Sequence, residues 1–213
     1  MDRVSVLIVL LSLAGGCARS GPCPADMAQI PGRTACIDRF EASLTGGGLG
    51  APDGRSVAAR AVSRRGVMPA VKINQLQAKA ACANAGKRLC TRAEWVAACK
   101  GGTAARKYAY GDEKKPGLCH DRTLSQQRGS TAPLPTGSLE ACRTPEGVYD
   151  MSGNVWEWLA DGHPDGTTAQ LMGAGYGNDD SFLKCDYERF AQPVTESRDA
   201  VGFRCCRDIA GGQ

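Results

Sequence analysis

Cysteine constrains this chain before any other residue does. Eleven occur in 213 residues, and the first, Cys17, stands just behind the apolar run Val4 to Ala14. That run is too short to span a bilayer and has the size of a signal-peptide core. A chain sent out of the cytoplasm folds where thiols oxidise, so the ten cysteines beyond Cys17, an even number, are expected in disulfides. No Cys-x-x-Cys pair occurs, and the histidines are His120 and His163 alone, so the spacing of a structural zinc site is missing.

The segment Leu13-Ala14-Gly15-Gly16-Cys17 resembles the lipobox of bacterial lipoproteins, in which the cysteine is acylated and becomes the new N-terminus. That resemblance implies lipidation at Cys17, with simple secretion as the alternative. Each buried CH₂ is worth ~0.8 kcal/mol, so several chains hold firmly where one does not. The expected location is the bacterial cell envelope, with the domain outside the cytoplasm. Because Ala18 follows the cysteine, resemblance to other lipoproteins points to the outer membrane. Residues 1–16 then read as signal peptide, 17–21 as a lipidated tether, 22–207 as one domain and 208–213 as a tail. A net charge of +4, with scattered basic residues, argues against a nucleic-acid partner.

Cys23 to Ser43 reads as a β-hairpin around Pro31-Gly32, with a Cys23–Cys36 bridge able to close it. Residues 44 to 66 are glycine-rich and poor in apolar side chains, and predict a long surface excursion. Asn74 is placed to cap a helix carrying Leu76, Ala80, Ala81 and Cys82 and ending at Gly86. Thr91 and Glu94 form a Thr-x-x-Glu capping box for a second helix that stops at Gly101-Gly102. From Tyr108 onward, Gly, Pro and Asp recur and only strand-sized apolar pieces survive. The expected fold class is α+β, irregular, loop-rich and disulfide-stapled.

The stretch GVYDMSGNVWEW, Gly147 to Trp158, reads as a buried irregular turn. Asp150, Gly153 and Asn154 break a helix, while Met151, Val155, Trp156 and Trp158 are too apolar for a free loop. Such a turn leaves many carbonyls without a ladder, and a hard cation is one way to satisfy them.

Four stretches, CIDRFEAS, AGKRLCTRAEWVAACKGG, GVYDMSGNVWEW and GFRCC, resemble in order and separation the sulfatase-modifying factor family, whose founding activity is the formylglycine-generating enzyme. The resemblance covers about residues 22 to 207. It implies a C-type lectin-like fold and a calcium ion held by the Asp150 carboxylate, the Gly153 and Val155 carbonyls and the Glu157 carboxylate. Calcium accepts carbonyls beside carboxylates. The alternative is a turn held by Asn154 and tryptophan packing, with Glu157 at the surface. A second calcium site of the family does not carry over to CHDRTLSQQRGSTAP, where the pattern departs. The resemblance also implies a Cys82–Cys205 bridge.

The family's reaction converts a sulfatase cysteine to an aldehyde-bearing residue on a copper ion held by two cysteines spaced Cys-x₄-Cys after Gly-Gly-Ser-Trp. Soft thiolates suit copper(I). Here Gly173-Ala174-Gly175-Tyr176 stands in place of that segment, and the first cysteine falls on Asn178 or Asp180. Cys185 alone matches the second, which makes it the single weak catalytic candidate and makes copper an unexpected cofactor. The family's further cysteine, the partner of the one matching Cys99, falls on Phe190, so Cys185 is expected to pair with Cys99. Cys119–Cys142 and Cys90–Cys206 complete the expected set, the latter as the pair left over, with a vicinal Cys205–Cys206 bond as the strained alternative. Two functions remain in view. One is an anchored binding domain that takes a peptide, protein or small molecule in a cleft around Tyr176, Asn178, Asp180 and Tyr187. The other is an oxidase acting on peptidyl or other sulfur through Cys185.

Overall fold

The computed structural model describes residues 21–179, 181–187 and 189–209; Cys17 and Asp180 lie outside them. Strands β1 (Met27–Gln29) and β2 (Ala35–Asp38) form the expected hairpin, in which Ile30 N donates to Ala35 O across the Pro31-Gly32 turn. The hairpin ends at Asp38, and Ser43 belongs to the next strand, β3 (Ala42–Thr45), which pairs antiparallel with β4 (Arg60–Ser63).

Residues 44 to 66 are therefore more than a surface excursion. Their ends are strand, and the loop between is fastened to helix α1 (Gln75–Asn84) by side-chain amides. Asn84 Nδ2 donates to Val57 O at 2.9 Å and Ala59 O at 3.0 Å, and Asn74 Nδ2 to Pro52 O at 2.7 Å. The approach is so close that a Cβ on Gly54, at φ +75°, would stand 2.7 Å from Leu76 O. Polar ties replace the apolar content that the loop lacks.

Helix α1 begins as its sequence predicts, with a complete capping box between Asn74 and Gln77. Its buried face differs from the expected one. Ala78, Ala81 and Cys82 are buried together with Gln75 and Gln77, while Leu76 and Ala80 are only half-buried. The glutamines tolerate burial because Gln75 Nε2 donates to Leu159 O and Gln77 Nε2 reaches Ala51 O. After the short strand β5 (Arg88–Leu89), helix α2 (Arg92–Lys100) carries the Thr91–Glu94 capping box and ends at Gly101 in the left-handed region. A third helix, α3 (Arg122–Arg128), was not expected; Asp121 Oδ1 caps it by accepting Leu124 N, and Gly129 ends it at φ +61°.

The C-terminal half contributes a second sheet. Strands β6 (Trp156–Gly162), β7 (Thr168–Met172), β8 (Arg189–Pro193) and β9 (Val201–Phe203) lie in the order β8-β7-β6-β9, with β6 and β9 parallel. Strand β10 (Cys205–Asp208) follows β9 after Arg204 alone and crosses into the first sheet, ordered β1-β2-β10-β5. Alternation along β6 divides the core. Trp156 and Trp158 pack with Leu171, Phe203 and Cys82, while Leu159 packs on the other side with Trp95, Met172 and Cys206.

Five disulfides join these parts: Cys23–Cys36, Cys82–Cys205, Cys90–Cys206, Cys99–Cys185 and Cys119–Cys142. Cys205 and Cys206 bond to different partners rather than to each other. Each bridge is typically worth ~2–4 kcal/mol, which suits a fold with so much ordered loop. Such bridges persist in oxidising compartments, so the domain is extracytoplasmic. Among the described residues no helix is long and apolar enough to cross a membrane.

Candidate functional site

The Gly147–Trp158 stretch is an irregular turn up to Val155, and Trp156-Glu157-Trp158 open strand β6. Asp150, Gly153 and Asn154 have φ of +62°, +130° and +67°. Gly153 is irreplaceable there on steric grounds, since a Cβ would stand 2.6 Å from His120 O. Neighbouring segments satisfy the turn's N–H groups: Tyr149 N donates to Arg39 O, Asp150 N to Cys142 O, Gly153 N to Gly173 O and Asn154 N to His120 O. Glu41 completes this by accepting Asn154 Nδ2 at 2.5 Å and Val155 N at 3.1 Å.

Glu157 is wholly buried, on the opposite side of β6 from its flanking tryptophans. Arg204, from the β9–β10 link, grips it with two bonds, Nη2 to Oε1 at 2.6 Å and Nε to Oε2 at 2.7 Å, and Trp95 Nε1 donates to Oε2 at 2.7 Å. Two further guanidinium hydrogens go to Asp38 O, from Nη1, and Tyr149 O, from Nη2. Glu41 and Asp150 are buried close by, so three carboxyl groups surround one guanidinium. Burial first, then Asp150 and Glu157, push Glu41 well above the usual carboxylate range. Burial likewise raises Asp150 to about 6, against the hydrogen bond from Gly137 N and the attraction of Arg204.

Among the residues expected to hold calcium, Asp150 accepts Gly137 N on Oδ2 at 2.7 Å. The Glu157 side chain does not fit the same role. Both of its oxygens already face a guanidinium and an indole N–H, and it is the counter-ion of Arg204. Among the described residues no three acidic, histidine or cysteine side chains are grouped to hold a metal.

On the other side of the turn lies a shallow groove of about 270 Å³ lined by Trp156, Tyr176, Gly177, Asn178, Arg198, Ala200 and Val201. The structure thus brings Tyr176 and Asn178 together, while Tyr187 packs behind the groove against Phe182, 4.7 Å between ring centres, and Trp156. Asn178 is a fixed wall element. Its Oδ1 accepts Trp156 Nε1 and Gly175 N, each at 2.9 Å, and its Nδ2 donates to none of the described residues. Cys185 lies elsewhere, fully buried and bonded to Cys99 of α2.

Tyr176 rests on a polar network that the sequence did not reveal. The His120 ring stacks beneath it at 5.6 Å, His120 Nδ1 meets Asn154 Oδ1 at 3.2 Å, and Nε2 lies 3.0 Å from Ser125 Oγ. Leu134 N donates to the same Asn154 Oδ1, which fixes the amide and requires Nδ1 of His120 to carry the proton. Burial holds His120 below the ordinary imidazole range. The Ser125 hydroxyl is buried and lies 2.8 Å from Tyr176 O, so Ser125, His120 and Asn154 support the groove wall rather than face a substrate. Glu41 and Arg204 were missed as site residues although CIDRFEAS and GFRCC contain them; an acid inside an apolar strand region and an arginine between two strands were the available signals.

Comparison with known proteins agrees with this arrangement. Residues 45–209 match the family model described as sulfatase-modifying factor enzyme 1-like domain. The chain is 33% identical over 171 residues to the formylglycine-generating enzyme of Streptomyces coelicolor, covering 66% of this chain and 52% of that one. It is 28% identical over 149 residues to the inactive C-alpha-formylglycine-generating enzyme 2 of Mus musculus, covering 65% of this chain and 48% of that one. The chain thus spans about half the length of these curated relatives. In fold it is similar to PvdO from Pseudomonas aeruginosa, with a TM-score of 0.58, 21% identity and coverage of 82% of this chain and 80% of that one. With the family model spanning most of its length, this chain belongs to the sulfatase-modifying factor family.

Proposed function

We propose that the chain is an envelope-anchored binding domain of this family that has kept the scaffold and lost the copper chemistry. The observation carrying this reading is the state of Asn178, one of the two positions (with Asp180) where the first thiol would fall, and of Cys185, the match to the second. Asn178 is an amide committed to Trp156 and Gly175, and Cys185 is tied to Cys99. A hard amide oxygen has little affinity for copper(I), and a disulfide sulfur has no thiolate to offer. The similarity to an inactive relative supports the same reading. The groove offers an aromatic wall, the Asn178 Nδ2 donor and the Arg198 cation, which is paired with Glu196. Such a lining suits a ligand that presents oxygen acceptors, such as peptide carbonyls or a carboxylate.

In this reading Cys17 carries the lipid and calcium sits on Asp150 and the Gly153 and Val155 carbonyls as a structural ion. The test of lost chemistry is direct. The Cys17→Ser domain is denatured and its free thiols counted, then the folded protein is given copper, oxygen and a peptide containing Cys-x-Pro-x-Arg. The expected result is no free thiol and no aldehyde by mass spectrometry. A free Cys185 with turnover that disappears in Cys185→Ser would establish the oxidase instead.

A further inference from the structure

The order in which the cysteines of this chain emerge conflicts with the order in which they pair. Cys23–Cys36 and Cys119–Cys142 join cysteines that are neighbours along the chain. The other three bridges are nested around Cys119–Cys142: Cys82–Cys205, Cys90–Cys206 and Cys99–Cys185, with separations of 123, 116 and 86 residues. A chain that emerges N-terminus first exposes Cys82, Cys90 and Cys99 well before their partners. Pairing each thiol with the next to arrive gives Cys23–Cys36, Cys82–Cys90, Cys99–Cys119, Cys142–Cys185 and Cys205–Cys206, of which Cys23–Cys36 alone is native. Loop closure favours the error, because Cys82 lies eight positions from Cys90 and 123 from Cys205, a roughly 60-fold difference in closure probability.

Strand β10 stands between β2 and β5, where Cys205 pairs with Leu89 and Cys206 with Arg88. Alternation sends its two adjacent sulfurs to opposite faces. Cys205 meets Cys82 in the part of the core that holds Trp158 and Phe203, and Cys206 meets Cys90 in the part that holds Trp95 and Leu159. A Cys82–Cys90 or Cys205–Cys206 bond joins sulfurs of opposite faces and is incompatible with this sheet. The swapped set, Cys82–Cys206 with Cys90–Cys205, would slip β10 by one residue, turn its side chains to the wrong faces and draw Arg204 away from Glu157. All six cysteines of the nested bridges are 0% exposed, so correction has to precede closure of the core.

We infer that this chain matures through a thiol–disulfide isomerase outside the cytoplasm, a partner with a reduced, reactive cysteine that acts on the open chain before β10 enters the first sheet. The exchange balances without an oxidant. The partner's thiolate attacks Cys82 Sγ of a Cys82–Cys90 bond, forming a mixed disulfide and releasing the Cys90 thiolate. That thiolate attacks Cys206 Sγ of a Cys205–Cys206 bond and releases the Cys205 thiolate. Cys205 then attacks Cys82 Sγ of the mixed disulfide, which closes Cys82–Cys205 and returns the partner's thiolate. Two misplaced bonds become two native ones.

The full chain is produced in two bacterial hosts that differ only in the presence of an envelope disulfide isomerase. Free thiols are alkylated at harvest, and the bridges are mapped by mass spectrometry without reduction. With the isomerase, the five native bridges are expected. Without it, native bridges fall from five per chain toward the one that consecutive pairing gives, or the chain is lost to proteolysis. Equal yields of the native set in both hosts overturn the inference. An isomerase that keeps its attacking cysteine and lacks its resolving one should be captured on Cys82, Cys90, Cys205 or Cys206; capture on Cys23 or Cys36 alone overturns the route. The double variant Cys82→Ala, Cys205→Ala separates this route from general fragility. Consecutive pairing of its eight cysteines restores Cys119–Cys142 beside Cys23–Cys36, so its native share without isomerase should rise from one bridge in five to two in four. Cys23→Ala with Cys36→Ala should leave the dependence at least as large as in the wild type, and an equal relief in both double variants overturns the inference.

Discussion

Removing the charge from one partner of the Arg204–Glu157 pair should destabilise this domain about as much as emptying a large buried apolar position. Arg204 is 1% exposed and Glu157 is 0% exposed, and the two share a pair of hydrogen bonds at 2.6 and 2.7 Å. Breaking such a buried pair costs ~3–5 kcal/mol, because the survivor is left charged and unpaired. The two halves are not equivalent here. In Glu157→Gln, the neighbouring Asp150 and Glu41 can ionise and partly replace the lost charge beside Arg204. In Arg204→Met, three buried carboxyl groups lose the cation among them, and Asp38 O and Tyr149 O lose a donor. Arg204→Met is therefore expected at the upper end of that range and Glu157→Gln at the lower. For a domain of this length, ~2–4 °C accompanies each kcal/mol, so the melting temperature should fall by roughly 6–20 °C. The double variant should cost clearly less than the sum of the singles, since apolar and neutral groups of similar shape remove the unpaired charge. Urea denaturation with an unchanged slope measures all three. Single losses under about 1 kcal/mol, or strict additivity, would refute the view that this pair anchors the crossing of the two sheets.

Two further outcomes follow from the same region. Calcium should raise the melting temperature of the wild type as RT ln(1 + [L]/Kd), the rise should vanish in Asp150→Asn, and it should persist in Glu157→Gln, whose side chain serves Arg204; a melt indifferent to calcium and chelator alike leaves only tryptophan packing to hold the turn. Stability in chelator should fall as pH rises from about 4 to 6, because burial raises Asp38, despite Lys87, and Asp150 from 3.8 to about 6. The folded state then holds protons that the unfolded chain has released. This contribution is complete below about 3.8 and is lost as pH passes the folded values, at roughly 3 kcal/mol per carboxyl. Thermal melts at fixed ionic strength check it, and a stability that climbs over this window in the wild type contradicts the sign.

Local signals in the sequence were legible wherever a few adjacent residues determine the structure. The two capping boxes, Gly101 as a helix stop and the Pro31-Gly32 hairpin depend on neighbours within four positions, and all stand in the structure. Helix α3 carries equally local signals, Asp121 before it and Gly129 after it, but the surrounding glycines and prolines read as loop. The loop between β3 and β4 could not be placed because its ties to α1 are amide side chains whose targets lie 22 to 28 residues away. The site divides in the same way. Asp150, Gly153 and Asn154 announce a turn by composition, whereas Glu41 reaches it across 113 residues and Arg204 reaches Glu157 across 47.

In the proposed reading the absence of a thiolate pair is a reassignment, because Asn178, one of the two positions where the first thiol would fall, and Cys185 each have a structural task in a different part of the core. Asn178 holds the Trp156 indole and the Gly175 amide at the groove, and its exchange for a thiol would leave both donors without the acceptor they have. Cys185 packs with Trp95, Cys90 and Cys206 behind strand β6, where its bond to Cys99 fastens α2 to the segment leading into β8. Trp156 packs instead with Phe182 and Tyr187 on the groove side. A thiolate pair would need one sulfur to leave a buried disulfide and the other to displace a hydrogen-bonded amide. The stability of the present arrangement opposes both moves, since the staple is worth ~2–4 kcal/mol and an orphaned buried donor costs ~1–3 kcal/mol. The same bonds that commit Asn178 and Cys185 hold the groove's donor in place, which in the proposed reading suits it to recognition.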